Sequence, residues 1–286
     1  MAGYRNRGGE AIQVIDAHCH FWRIARGDYG WLESGGAALA PIRRDFLPPD
    51  YPGAARLIVV QAAPSLAETD FLLSLAKGDS RIAGVVGWVD LGDPGAAGLL
   101  CERADNPALR GIRPMLQDIA DPDWLETAVN PRALAALVRL GLRFDALVTA
   151  RHLPMLARFA ARRDDLPLVI DHAAKPQPDR GEDWERGMAA LAAIPHVHCK
   201  LSGLLTELSP EELRDPLPAL RPILARLLDW FGPERLIWGS DWPVVTLAAS
   251  YDEWRDLTQA LLADLSPSER AAIMGGNAAR FYGLAA

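Results

Sequence analysis

Short apolar runs recur along the chain at 12–20, 56–62, 82–90, 109–116, 142–148, 166–172, 196–202 and 235–241, each carrying Val, Ile or Leu. Runs of this length bounded by turn formers predict eight β-strands. Between most of them, at 66–77, 94–104, 131–140, 152–163, 183–193 and 211–231, apolar residues fall at helical spacing. Arg132 to Leu140 has the pattern of a helix that buries one face and wets the other. Ser65 and Ser209 stand where an N-cap belongs, and Pro122 and Pro131 where a first helical turn can begin.

Strand and helix alternating eight times imply parallel strands joined by right-handed crossovers. A doubly wound open sheet is the competing arrangement. The length of 286 residues suits one closed barrel of ~250 residues. The expected architecture is α/β: a single (β/α)8 TIM-type barrel over 12–286, with extra C-terminal helices over 249–286. Residues 1–11 read as an N-terminal tail, expected to be disordered. The long connection 21–55 holds Phe21, Trp22, Tyr29 and Trp31. It reads either as a cover over the site or as a surface excursion anchored by its aromatics.

Composition narrows the function. Half the residues are hydrophobic, so a sizeable core can form, and the net charge of −7 argues against nucleic acid and anionic membranes as partners. Cys19, Cys101 and Cys199 show no C-x-x-C spacing, which fits a reducing compartment. No apolar segment follows Arg5 and Arg7 as in a leader, and no run reaches ~18 residues. A soluble cytoplasmic protein is expected. A homodimer is compatible with the chain and is not selected by it.

Candidate chemistry collects at the ends of the apolar runs. In such a barrel the C-terminal ends of the strands face the active site. His18 and His20 sit two apart at the end of the first strand, so they share one wall. His172 and Asp241 follow the sixth and eighth runs. His196 and His198 have the same spacing as the first pair but open their strand, so they read as structural. A carboxylate at Asp241 needs a cation, an imidazolium or a polarised water, and it is the candidate general base. Arg113 shares inward parity with Gly111 and suits a carbonyl or carboxylate. Lys200 is a candidate to stabilise an oxyanion or to pair with Asp241. Asp171, next to His172, should point to the opposite face as a supporting group. Asp16 should face inward, deeper than the histidines. His152 follows the fifth strand near the mouth. Phosphate-loop, nucleophile-elbow and dinucleotide motifs are absent.

These segments bring a resemblance. Asp16-Ala17-His18-Cys19-His20, Arg110-Gly111-Ile112-Arg113, Arg151-His152-Leu153, Ile170 to Pro176, Cys199 to Gly203 and Gly239-Ser240-Asp241-Trp242-Pro243 occur in order. The chain resembles the amidohydrolase superfamily, in its amidohydrolase-2 branch, and within it the sugar-lactone hydrolases of the fuconolactonase and rhamnonolactonase kind. The resemblance implies the barrel, and it implies hydrolysis of a sugar-acid lactone. Asp241 would deprotonate water, with His172, Arg113 and Lys200 as further catalytic groups. Trp22, Tyr29, His152 and Trp242 would bind the substrate. His18, His20 and Asp241, with His172 as a further ligand, would hold at most one divalent cation. Zinc suits these donors, and a reaction that requires no metal stays open. Arg113 stands where two-metal members carry a bridging lysine, which speaks against a binuclear centre. A metal-dependent decarboxylase of a conjugated acid and a non-catalytic sugar-acid-binding barrel are the alternatives.

Overall fold

The computed structural model describes residues 14–176 and 181–285, so the expected tail 1–11 lies outside the described residues. Eight strands form one parallel sheet in sequence order: β1 (Ile15–Cys19), β2 (Arg56–Val60), β3 (Ile82–Gly87), β4 (Leu109–Ile112), β5 (Arg143–Ala146), β6 (Leu168–Ile170), β7 (Val197–Leu201) and β8 (Leu236–Trp238). Each falls inside an expected run. The ring closes just beyond β8, where Asp241 N donates to His18 O and His20 N to Trp242 O, both at 2.7 Å.

The crossovers carry helices Leu66–Gly78, Ala96–Ala104, Pro131–Arg139, Leu153–Ala161, Glu182–Ala192 and Pro216–Phe231. Ser65 caps the first by accepting from Glu68 N, and Pro131 opens the third behind Asn130. Ser209 instead accepts from Glu212 N at a 3-10 turn, and the long helix starts at Pro216. Pro216 supplies a preset φ at a position whose N–H would be unpaired anyway. No helix among the described residues is long and apolar enough to cross a membrane. The three cysteines are free thiols.

Outward side chains such as Leu57, Val59, Phe144, Ile170, Leu201 and Trp238 pack under the helices. Inward ones, among them Ile15, Ala17, Ile58, Val60, Val86, Val169 and Ile237, pack against Ala278, Phe281 and Tyr282. The C-terminal segment therefore plugs the N-terminal mouth of the barrel. Arg143 Nε, at the start of β5, donates to Phe281 O, and Arg56 Nη1, at the start of β2, to Ala285 O. Segment 21–55 is a chain of short helical turns held by buried Trp22, Leu32, Ile42, Phe46 and Tyr51. Its aromatics are anchored in the core, and Trp22 stands beside His20.

His198 lies at that lower end, its ring 4.8 Å from the Phe281 ring. Burial lowers its pKa to about 4, with Arg235 and Arg280 adding to the effect. A histidine held neutral contributes stability that is present above its unfolded pKa of ~6.5 and lost as pH falls towards 4. We expect wild-type stability relative to His198→Gln to drop by roughly 2–3 kcal/mol between pH 7 and pH 4.5. Urea unfolding at the two pH values measures this, and a constant difference would contradict it.

Candidate active site

The site begins with an irregularity in β1. Asp16 pairs with Leu57 and Cys19 with Val59, so β1 spends three residues where β2 spends two. This bulge breaks the simple alternation. Asp16 is consequently not an inward group. It accepts from Tyr51 Oη at 2.8 Å, from Ser240 N at 2.8 Å and from His18 N at 3.2 Å, and it ties β1 to the turn that carries Asp241. His18 and His20 face the interior, with ring centroids 4.9 Å apart.

Asp241 reaches them because of the glycine before it. An added Cβ at Gly239 would stand 2.6 Å from His18 Cβ and 2.9 Å from His18 N, so only glycine lets the two segments touch. Asp241 itself is left-handed, with φ of 59°, a conformation that Asp tolerates better than most residues. Its Oδ1 lies 3.2 Å from His20 Nε2 and 3.8 Å from His18 Nε2, and all three side chains are buried.

His20 Nδ1 is 2.8 Å from Val60 O. A carbonyl only accepts, so Nδ1 carries the hydrogen, and in the neutral ring Nε2 is a lone pair. That lone pair faces a carboxylate oxygen, an arrangement satisfied by a proton or a cation between them. His18, His20 and Asp241 together present one donor atom each within 4.8 Å of one another. Two imidazoles and a carboxylate, one imidazole braced through a backbone carbonyl, fit a divalent cation.

His172 arrives by an unusual route. The strand stops at Ile170, and His172, Ala173, Ala174 and Lys175 all have φ between 48° and 58°. This left-handed turn cancels the alternation expected beyond β6, and both Asp171 and His172 face the interior. The expectation that Asp171 points away is thus corrected. The His172 ring stands 4.5 Å from that of His18, and its Nδ1 is 3.0 Å from Ser202 Oγ. An added Cβ at Gly203, φ 61°, would collide with that ring at 2.4 Å. His172 groups with His18 and Asp171 rather than with the His18, His20 and Asp241 trio.

Asp171 is a hub. Arg113 Nη1 lies 3.3 Å from its Oδ2, and Lys200 Nζ 3.0 Å from its Oδ1. Arg113 Nη1 is also 3.4 Å from His18 Nε2, while Nη2 donates to Gln61 O. Lys200 corrects a further expectation. It is fully buried, ion-paired with Asp145 and Asp171 and standing beside His18 Nδ1 rather than paired with Asp241.

Burial alone would raise the Asp241 carboxyl, yet His172, the His20 hydrogen bond and His18 hold it below the ordinary carboxylate value. Burial lowers His172 to about 4, and burial together with Lys200 keeps His18 well below the ordinary imidazole value. The pocket thus combines an ionised acid at Asp241 with neutral imidazoles at His18 and His172.

Of the expected substrate contacts, Trp22 stacks near His20, with centroids 6.4 Å apart and planes 29° apart, and Tyr29 packs on Trp22 at 6.2 Å. His152 is buried, with Nδ1 accepting from Thr149 N at 3.1 Å. Trp242, expected among the substrate contacts, is a further correction: its indole lies between Phe21, Phe46 and Tyr51, backing the wall behind Asp241. The sequence reading missed Asp145, Tyr282 and Glu68. Asp145 was detectable as an acid in the apolar run of β5. Glu68, pushed up to about 7 by burial, accepts from Ala62 N and Ala63 N at the head of a helix. Tyr282 carried no signal in the sequence, since its partner Asp145 is 137 residues away.

A family model described as amidohydrolase matches residues 15–284. The chain is 46% identical over 280 residues to an L-fucono-1,5-lactonase of Burkholderia ambifaria, covering 94% of each. It is 43% identical over 293 residues to an L-fucono-1,5-lactonase of Burkholderia multivorans, covering 94% of this chain and 96% of that one. A solved amidohydrolase from Burkholderia multivorans with bound zinc is 41% identical, with a TM-score of 0.83 over 95% of this chain and 99% of that one.

Proposed function

The chain belongs to the amidohydrolase family, and from that premise we propose that it hydrolyses a sugar-acid lactone of the L-fucono-1,5-lactone kind. The observation that carries the reading is the convergence of a buried carboxylate with imidazoles: Asp241 Oδ1 lies 3.2 Å from His20 Nε2 and 3.8 Å from His18 Nε2. The lactonase relatives, similar over nearly their whole length, supply the substrate class.

In this mechanism a water sits against Asp241, which takes its proton as hydroxide adds to the lactone carbonyl. N–H groups of the His18 and His172 imidazoles and the Arg113 guanidinium line the space in which the oxyanion develops, and they stabilise it best in a site closed to water. Collapse breaks the acyl–oxygen bond. Protonated Asp241 or His172 returns a proton to the leaving alkoxide. Trp22, stacked near His20, and Tyr29 behind it wall the sugar side, with His152 near the mouth.

A cation at His18, His20 and Asp241 would be zinc, in keeping with the donor set and with the zinc-bound relative. When bound, it would supply Lewis-acid polarisation of the carbonyl.

The test is pH-monitored turnover of a panel of sugar-acid 1,5- and 1,4-lactones, run with and without a chelator, alongside conjugated aromatic acids. Turnover of a 6-deoxyhexonolactone is expected. Loss of CO2 from an aromatic acid without turnover of any lactone would overturn the reading in favour of a decarboxylase. Thermal shifts by sugar acids without turnover would indicate a binding protein.

A further inference from the structure

The short loop that follows β2 is moored from two sides, and neither mooring takes part in the chemistry proposed above. Glu68 lies in the first turn of the helix Leu66–Gly78, where its N–H donates to the capping Ser65 Oγ at 3.0 Å. Its carboxylate reaches back past Ser65. It accepts from Ala62 N at 3.0 and 3.1 Å and from Ala63 N at 2.5 Å. Trp31, from the 21–55 segment, donates its indole N–H to Ala62 O at 2.8 Å. Gln61 N donates to Val86 O at 2.8 Å, and both Gln61 and Glu68 are fully buried.

Gln61 faces Arg113. Its Nε2 donates to Arg113 O at 2.9 Å, its Oε1 lies 3.4 Å from Arg113 Nη2, and its own carbonyl accepts from the same Nη2. A carbonyl only accepts and a guanidinium only donates, so these partners fix which way the amide points. Glutamate at this position would lack the donor, and lysine the acceptor. Arg113 Nη2 is thus taken by Gln61, and Nη1 stands 3.3 Å from Asp171 Oδ2. The Arg113 nitrogen that finds no acceptor among the described residues is Nε, in a residue only 3% exposed. A buried N–H without a partner is costly, and a lactone oxygen entering the pocket would relieve that cost.

We propose that Gln61, held in place by Glu68, is a positioning residue that fixes the Arg113 guanidinium in the pose it presents to the substrate. Gln61 occupies Nη2 and leaves Nε–H to the lactone. Glu68 acts one step further back. It holds the backbone from which Gln61 reaches Arg113 and Ala62 reaches Trp31. What Arg113 does to a lactone rests on the function proposed above; the mooring itself does not.

The test uses 15N-labelled protein, with the Arg113 guanidinium signals identified by their loss in Arg113→Lys. In the wild type the two Nη nitrogens should be distinct and slow to exchange, because rotation about the Cζ–Nη bonds breaks the Gln61 contacts. Gln61→Leu should speed that rotation roughly tenfold while hydrogen exchange of the Trp31 indole stays within about twofold. Glu68→Gln sets an amide nitrogen against backbone N–H groups, so it should speed both. Towards a lactone, Gln61→Leu should lower kcat/KM about thirtyfold, as a misplaced contact group does. In the Arg113→Lys background the same change should cost less than about threefold, since nothing is left to position. Fast Arg113 rotation in the wild type overturns the proposal whether or not a variant folds. So does unchanged rotation in folded Gln61→Leu or folded Glu68→Gln. Equal rate losses in the two backgrounds would also overturn it, marking Gln61 as structural only. If no lactone turns over, the rate comparison falls with that reading and the rotation measurement decides the proposal alone.

Discussion

Asp241→Asn should lower kcat for lactone hydrolysis about a thousand-fold while leaving KM within a few-fold. General-base removal typically forfeits 10²–10⁴ in rate, and Asp241 is the acid that the closing turn delivers to both His18 and His20. Asparagine keeps the size of the side chain and tolerates the left-handed backbone at φ 59°, so the fold should be retained. What disappears is the capacity to take a proton, since an amide is not a base in this range. Initial rates of purified wild type and variant, with matching far-UV circular dichroism, check this. Near-wild-type kcat in the folded variant would remove Asp241 from the role assigned to it.

Gly239→Ala should be the most damaging single methyl in the barrel. The new Cβ meets His18 Cβ at 2.6 Å and His18 N at 2.9 Å, and backbone cannot rotate away as a flexible side chain can. Overpacking costs typically 1–3 kcal/mol, and here the displaced element is the strand that closes the ring. We expect a loss of about 3 kcal/mol, which in a chain of this size lowers Tm by roughly 6–12 °C. Activity should fall with stability, because separating β1 from the Asp241 turn also separates the imidazoles from the carboxylate. Calorimetry and a rate assay on one preparation measure both. An unchanged Tm would mean that the closure yields more easily than its contacts suggest.

The barrel was legible because burial on both faces leaves continuous apolar runs, and all eight strands lie within them. His18, His20, His172 and Asp241 were legible because polar groups at the ends of such runs need a reason to be there. Alternation failed at two places, each with a backbone cause. The bulge in β1 turned Asp16 away from the interior, and the left-handed turn after Ile170 brought Asp171 in beside His172. Lys200 and Trp242 were placed at the correct strand ends but with the wrong partners. A sequence shows that a charge or a ring is buried, and not which of several neighbours across the barrel receives it. The link from Tyr282 to Asp145 joins segments without shared periodicity and was open only to the structure.

The central claim is that water, activated at Asp241, attacks the acyl carbon of a lactone held against the imidazoles. Single-turnover hydrolysis of L-fucono-1,5-lactone in H2 18O, with enzyme in excess, tests it most directly by mass spectrometry of the product. The account predicts one 18O in the carboxylate and none in the released hydroxyl. Label in the hydroxyl, or no enzymatic acceleration of label uptake, would contradict it.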